Sequence, residues 1–143
     1  MEKLLSIKCR QDGEPKVTST KKRFLVVDDE KLIRFFLKEF FNIHELPVEE
    51  AMNGKEAIRK WEQHDFAAIL MDIKMPELDG LEATRIIRRR EKDEGRAYTP
   101  IFAISGCAYN DFRLQCDNAG MDGFIPKPVD FDHLIEIILP LAQ

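Results

Sequence analysis

Three unbroken apolar runs constrain the fold of this 143-residue chain more than any other feature of its sequence. They lie at 24–27, 67–71 and 101–104 and read Phe-Leu-Val-Val, Ala-Ala-Ile-Leu-Met and Ile-Phe-Ala-Ile. A run without polar alternation is typical of a strand that is covered on both faces, as in a parallel sheet. Weaker candidate strands at 48–52 and 123–126 are expected nearer the sheet edges.

Amphipathic stretches separate the candidate strands and predict five helices. The predicted buried faces are, in chain order, Ile33, Phe36, Leu37, Phe40 and Phe41; Ala57, Ile58 and Trp61; Leu81, Thr84, Ile86 and Ile87; the stretch 112–116; and Leu134, Ile137, Ile138 and Leu141. The mixed-charge run 88–94 is predicted to be a solvated stretch that follows the third helix. Five βα units therefore predict an α/β fold with a doubly wound parallel sheet and right-handed crossovers.

Composition narrows the class of protein. Hydrophobic residues make up 44 % of the chain and charged residues 34 %, as in globular proteins. The net charge of −4 argues against a nucleic-acid partner, and the absence of a long apolar run argues against a membrane partner. Residues 1–22 are predicted to be a flexible N-terminal tail, and residues 23–143 one domain in the cytoplasm.

Polar side chains directly follow four of the candidate strands. Asp28 and Asp29 follow the first, Asp72 the third, Ser105 ends the fourth, and Lys127 follows the fifth. Each alone has an ordinary explanation, such as helix capping or a surface position. Because ligands of open α/β sheets bind at the carboxyl ends of strands, the five residues together indicate a functional site there.

The residue types at this site suggest phosphoryl chemistry. Asp28, Asp29 and Asp72 would repel one another unless a cation lay among them, and an all-oxygen ligand set suits Mg²⁺ better than zinc. A magnesium–carboxylate site beside the Lys127 ammonium could neutralise the charge on transferring phosphoryl oxygens. The sequence contains neither GxxxxGK[ST] nor GxGxxG, so the nucleophile is expected to be an Asp carboxylate rather than a group on a bound nucleotide.

With these motifs in place, residues 23–142 resemble a response-regulator receiver domain. The matching residues are Val26–Val27–Asp28–Asp29–Glu30, the stretch 71–80 (MDIKMPELDG), Ile104–Ser105–Gly106 and Lys127–Pro128. The resemblance implies a flavodoxin-like (βα)5 sheet with strand order 2-1-3-4-5. It also implies a cis Lys127–Pro128 peptide bond, and proline is the residue for which the cis form costs least.

The resemblance implies a role for each residue of the site. Asp72 would accept the phosphoryl group. Asp29 and Asp72 would bind Mg²⁺ directly, with the Lys74 backbone carbonyl as a further ligand and Asp28 acting through a water molecule. Lys127 would pair with the phosphoryl oxygens.

A conformational switch is implied as well. Ser105 would hydrogen-bond to the phosphoryl group, and Phe124 would then turn inward, although permanent burial of Phe124 is an equal alternative. The readout would lie on the fourth helix, fifth strand and fifth helix, a surface that could also form a phosphorylation-dependent dimer. Leu32 and Phe35 add apolar surface beside the acidic residues, either for docking of a phosphohistidine donor or for extra core burial.

Three functions remain open from the sequence. The favoured one is a stand-alone phospho-accepting response regulator, which receives its phosphoryl group from a histidine kinase or histidine phosphotransfer protein and signals to a downstream protein without multiple turnover. A receiver excised from a hybrid histidine kinase is the second, against which the initiator Met argues mildly. The third is a magnesium-dependent aspartyl phosphohydrolase. That class usually needs an acidic residue two positions after the nucleophile, where this chain has Lys74.

Overall fold

A computed structural model of the chain describes residues 22–106 and 109–142. The predicted tail at 1–22 lies outside the described residues except for Lys22. Strands and helices alternate strictly along the described chain. They are β1 (Arg23–Val27), α1 (Lys31–Ile43), β2 (Val48–Ala51), α2 (Gly54–Gln63), β3 (Phe66–Asp72), α3 (Gly80–Glu94), β4 (Ile101–Ser105), α4 (Tyr109–Ala119), β5 (Gly123–Pro126) and α5 (Phe131–Leu141).

The strands form one parallel sheet in the order β2-β1-β3-β4-β5. This order confirms the predicted doubly wound architecture. The three apolar runs form the central strands, and β3 is buried along its whole length. The two weaker candidates, β2 and β5, form the edges, where one side of each strand has no partner in the sheet.

The two faces of the sheet carry different helices. Alternate side chains of β1 point to opposite faces, so that Leu25 and Val27 join the core under α2, α3 and α4, whereas Phe24 and Val26 join the core under α1 and α5. Right-handed crossovers produce this division, because the chain winds outward from β1 in both directions. All strand carboxyl ends therefore meet at a single edge between the two helical layers.

Two predictions about helices are wrong. Phe36 was expected on the buried face of α1, but it is 51 % exposed and packs edge-on against the Phe35 ring at 5.5 Å between centroids. The charged run 88–94 lies within α3 rather than after it, and Glu91 in that run is buried. Glu91 accepts hydrogen bonds from the Thr99 backbone N–H at 2.8 Å and from Arg88 at 2.7 Å, which satisfy its carboxylate.

Within the described part of the chain, every helix is too short or too polar to cross a membrane.

Candidate functional site

The register of the sheet brings the predicted polar residues to one edge. Val27 pairs with Met71, so that the next residues along, Asp28 and Asp72, emerge side by side. Asp72 itself pairs with Ile104, which directly precedes Ser105. Because Ser105 pairs with Pro126 at the end of β5, Lys127 emerges on the other side of Asp72.

Three carboxylates form the acidic centre of this edge. One oxygen from each of Asp28, Asp29 and Asp72 lies within 4.8 Å of the others. Asp28 is 1 % exposed and Asp72 is 5 % exposed, whereas Asp29 faces solvent. The cluster is therefore mostly withdrawn from water but open on the side of Asp29.

The turn after β1 holds Asp28 through its backbone and one carboxylate oxygen. The Asp28 N–H donates to the Ala51 carbonyl at 3.2 Å, and its Oδ1 accepts from the Glu30 N–H at 2.8 Å. The other oxygen, Oδ2, is buried and pairs with Lys127 Nζ at 2.8 Å. Asp28 is thus held through its backbone and through both of its carboxylate oxygens.

Lys127 supplies the positive charge beside the buried carboxylates. Its Nζ lies 2.8 Å from Asp28 Oδ2 and 3.4 Å from Asp72 Oδ1. The Lys127 N–H donates to the Ser105 carbonyl at 2.9 Å, and the Lys127–Pro128 peptide bond is cis, as the resemblance implies. Burial works to lower the pKa of the Lys127 ammonium, but its hydrogen bonds and ion pairs with Asp28 and Asp72 outweigh burial and raise that pKa.

Asp72 is the strongly perturbed acid of the site. Burial raises the pKa of Asp72 to about 7, and the neighbouring Asp28 carboxylate adds to the rise. Lys127 opposes this effect without cancelling it. Such a carboxyl is half protonated at neutral pH, so that a further cation at the site would be needed to hold it fully ionised.

The donor set fits a hard divalent cation. Three carboxylates, of which that of Asp29 is exposed to water, offer the oxygen ligands that such an ion prefers. The Lys127 ammonium occupies one side of the three carboxylates, which leaves the open side near Asp29 for the ion. The residues present therefore match the ligand preferences of Mg²⁺.

A tight turn keeps the β3–α3 loop close to Asp72. The Gly80 N–H donates to the Ile73 carbonyl at 2.8 Å. A Cβ at Gly80 would lie 2.1 Å from the Asp72 carbonyl oxygen and 2.9 Å from the Met71 side chain, so only glycine fits without movement of the backbone. Asp79 caps α3 by accepting from the Glu82 N–H at 2.9 Å.

The remaining predicted residues lie around this centre. Ser105 is buried at the end of β4, next to the strand that carries Asp72. Phe124 is half-buried on β5 and packs against the core under α2, α3 and α4. Lys74 is exposed, and its ammonium lies 5.4 Å from the centroid of the Phe112 ring. The roles of Ser105, Phe124 and the Lys74 carbonyl stay predictions.

One contact of the site was not predicted from the sequence. Arg34 of α1 is 7 % exposed, and its Nη1 donates to the backbone carbonyl of Asp28 at 2.7 Å. Hydrophobic periodicity gives no reason to select a charged residue for the core. The burial of Arg34 could nevertheless have been predicted from helical periodicity. Arg34 precedes Leu37 by three residues and Phe41 by seven, which places all three on one helix face.

Comparison with known proteins agrees with this geometry. The family model for the response regulator receiver domain matches residues 24–139. Hybrid signal transduction histidine kinase L of Dictyostelium discoideum is 34 % identical over 119 residues, which cover 81 % of this chain and 7 % of that kinase. The chain thus spans a small part of the length of such curated relatives.

Two solved receiver structures share the fold. The receiver domain of the sensor histidine kinase PA1611 from Pseudomonas aeruginosa, which has a magnesium ion coordinated in its active-site cleft, is 30 % identical with a TM-score of 0.75, covering 85 % of this chain and 97 % of that one. The receiver domain of Saccharomyces cerevisiae Ssk1, solved with the histidine phosphotransfer protein Ypd1, is 26 % identical with a TM-score of 0.79, covering 85 % and 89 %. Family match, strand order and relatives agree: this chain belongs to the response regulator receiver domain family.

Proposed function

We propose that this chain accepts a phosphoryl group from a phosphohistidine onto Asp72 and signals through protein contacts, as a module of a two-component or phosphorelay system. The observation that carries the proposal is a buried Asp72 carboxylate beside two further carboxylates and the Lys127 ammonium. In the transfer, an Asp72 oxygen forms a bond to phosphorus while the P–N bond breaks and its electron pair leaves with the imidazole. The product is an acyl phosphate on Asp72.

The residues around Asp72 would make this transfer favourable. An ionised nucleophile is required, and the raised pKa of Asp72 means that positive charge must hold it in that form. Lys127 is close enough to serve the carboxylate before transfer and the phosphoryl oxygens afterwards. When bound, Mg²⁺ supplies the remaining charge neutralisation on the carboxylate and phosphoryl oxygens.

We assign the metal ligands as the resemblance implies. Asp29 and Asp72 would bind Mg²⁺ directly, together with the Lys74 backbone carbonyl, and Asp28 would act through a water molecule. The contact of 2.8 Å between Asp28 Oδ2 and Lys127 Nζ supports a water-mediated role for Asp28, because that oxygen is already committed to the ammonium. The magnesium-containing receiver of PA1611 supports the choice of metal.

The output would leave through a surface next to the site. Ser105, which is buried at the end of β4, is the proposed sensor of the phosphoryl group, and Phe124, which is partly buried against the core under α2, α3 and α4, is the proposed switch residue. We propose that α4, β5 and α5 form the surface that contacts a downstream protein or a second phosphorylated copy. Residues 23–143 would act as one receiver unit in the cytoplasm, with 1–22 as its tail.

The phosphoryl donor is proposed to dock beside the acidic cluster at the start of α1. Leu32 is 64 % exposed and Phe35 is 52 % exposed, so neither is used for core burial. The receiver of Ssk1, solved with a histidine phosphotransfer protein, supports a histidine phosphotransfer protein as the donor. An exposed apolar pair at this place would provide contact area for such a partner.

Truncating this docking surface should separate protein donors from small donors. We expect Leu32→Ala and Phe35→Ala each to slow transfer from a phosphohistidine protein by about tenfold, the equivalent of about 1.4 kcal/mol. Phosphorylation by acetyl phosphate and Mg²⁺ affinity should stay unchanged. Ile43→Ala is the matched control, because Ile43 is 74 % exposed at the far end of the same helix. Equal rates for all three variants with the protein donor would rule out docking at the start of α1.

One assay tests the proposed function against the hydrolase alternative. The full chain is incubated with Mg²⁺ and either a phosphohistidine protein or an excess of a phosphomonoester. The proposal expects one phosphoryl group per chain, acid-stable and base-labile, from the phosphohistidine donor. Release of many equivalents of phosphate from the monoester would instead favour a multiple-turnover phosphohydrolase.

A further inference from the structure

Arg34 joins the edge strand β2 to the turn that carries two of the site carboxylates. Its guanidinium is buried and uses two separate donors: Nη1 contacts the Asp28 carbonyl at 2.7 Å and Nε contacts Glu50 Oε1 at 2.9 Å. A buried guanidinium must find acceptors for its N–H groups, and its planar fork fixes their relative directions. Arg34 thus contacts the Asp28 carbonyl directly, while its contact with Glu50 ties α1 to β2.

Glu50 is the second hydrogen-bond partner of Arg34. Its second oxygen, Oε2, accepts from Lys38 Nζ at 2.8 Å. The hydrogen bond from Lys38 lowers the pKa of Glu50 below its ordinary value, and Arg34 adds to the effect against the opposing influence of burial. Glu50 is thus anionic at neutral pH and holds one cationic residue on each oxygen.

The Arg34 bond completes the set of contacts that orient Asp28. The Asp28 N–H is bonded to the Ala51 carbonyl, and Oδ1 is bonded to the Glu30 N–H. With the carbonyl held by Arg34, the remaining Oδ2 is directed at Lys127. Without Arg34, a buried carbonyl would lose its partner and the turn through Asp28 and Asp29 could rotate.

We propose that Arg34 is a positioning residue of the cation site: through the Asp28 carbonyl it fixes the turn that presents Asp28 and Asp29 to Mg²⁺. Arg34 contacts the Asp28 backbone carbonyl and would act on the cation site only through the backbone of the turn. The part of this inference that concerns Mg²⁺ rests on the proposed function. The part that concerns the turn is independent of any metal. Outer contacts of this kind tune metal affinity because they orient the ligands.

A purely structural role predicts a different result, and the chain offers a matched control for it. Lys38 binds the same Glu50 carboxylate at a similar distance and also ties α1 to β2, but within the described part of the chain its hydrogen bond and ion pair go to Glu50 and not to Asp28. If Arg34 only tied the helix to the strand, Arg34→Met and Lys38→Met would behave alike at the cation site. A positioning role requires that only the Arg34 variant changes the site.

The test uses the full chain with two measurements at the site, each read against Lys38→Met so that a general loss of stability is accounted for. Mg²⁺ affinity is measured by calorimetric titration of the folded protein. Hydrogen exchange of the Glu30 amide, which is bonded to Asp28 Oδ1, is measured without metal. Arg34→Met is expected to weaken Mg²⁺ binding by about tenfold and to speed Glu30 exchange by about tenfold. Lys38→Met should leave both within about twofold of the unaltered protein.

Each outcome decides the inference. Equal Mg²⁺ affinity and equal Glu30 exchange in the two variants would overturn it. If Arg34→Met does not fold, Arg34→Lys takes its place, since one ammonium cannot reproduce the fork between Glu50 and Asp28, and the same two shifts are expected. Faster Glu30 exchange in a protein that binds no Mg²⁺ in its unaltered form would support the positioning of the turn and would count against the magnesium site of the proposed function.

Discussion

Replacing Lys127 with methionine is expected to slow phosphorylation of Asp72 by about a hundredfold or more. Methionine keeps most of the side-chain length but removes the ammonium that lies 2.8 Å from Asp28 and 3.4 Å from Asp72. The transferring phosphoryl oxygens then lose the ammonium that would balance their negative charge. The rate is measured with acetyl phosphate and saturating Mg²⁺, so that donor docking does not contribute.

The same substitution should destabilise the fold. Asp28 is 1 % exposed, and removing its cationic partner leaves a buried charge that costs about 3 kcal/mol in the free energy of unfolding. Lys38→Met is the matched control, because the Lys38 ammonium also lies 2.8 Å from a carboxylate, but that carboxylate belongs to Glu50 and not to the acidic cluster. A Lys127→Met protein that is phosphorylated within a few-fold of the normal rate would exclude the role proposed for Lys127.

Replacing Asp72 with asparagine is expected to abolish phosphorylation and, without metal, to stabilise the fold. The folded-state pKa of Asp72 is about 7 against an ordinary value of 3.8, so the folded protein binds this proton more tightly than the unfolded chain. The unaltered protein therefore loses stability from this group as pH rises from about 4 to 7, by at most about 4 kcal/mol. Asparagine carries no charge at any of these pH values, so the Asp72→Asn variant does not lose stability from this group as pH rises.

Urea unfolding in the presence of a chelator measures the effect. Because asparagine also gives up the ion pair with Lys127, we expect a net gain of about 1–3 kcal/mol at pH 8 and a smaller gain at pH 5. Added Mg²⁺ should stabilise the unaltered protein more than the Asp72→Asn variant, because the variant lacks a ligand. A gain that does not depend on pH would show that Asp72 is not held at a raised pKa in the fold.

The strand positions could be predicted from the sequence because a strand that is buried on both faces is apolar at successive positions. The runs at 67–71 and 101–104 became the buried β3 and β4 for that reason. The polar residues behind these strands stood out because each interrupts an apolar pattern at the same relative place. Convergence of Asp28, Asp72 and Lys127 then required only that the strands be parallel and in register.

The buried faces of the helices were predicted less well where an apolar side chain is exposed or a charged side chain is buried. Phe36 is apolar but lies one residue before Leu37, which turns it by about 100° away from the core. Arg34 and Glu91 are charged but buried, because each finds a partner outside its own helix, Glu50 for Arg34 and the Thr99 N–H for Glu91. Such partners are set by tertiary packing, and no pattern within one helix reveals them.

The central claim is that Asp72 carries the phosphoryl group. Mapping the phosphorylated residue is the most direct test of this claim. The full protein is phosphorylated with acetyl phosphate and Mg²⁺, digested at acid pH, and the peptides are sequenced by tandem mass spectrometry. The account predicts one phosphoryl group, confined to the peptide that contains Asp72, base-labile and dependent on Mg²⁺. A phosphoryl group on any other residue, or none under conditions in which the protein is folded and binds Mg²⁺, would contradict it.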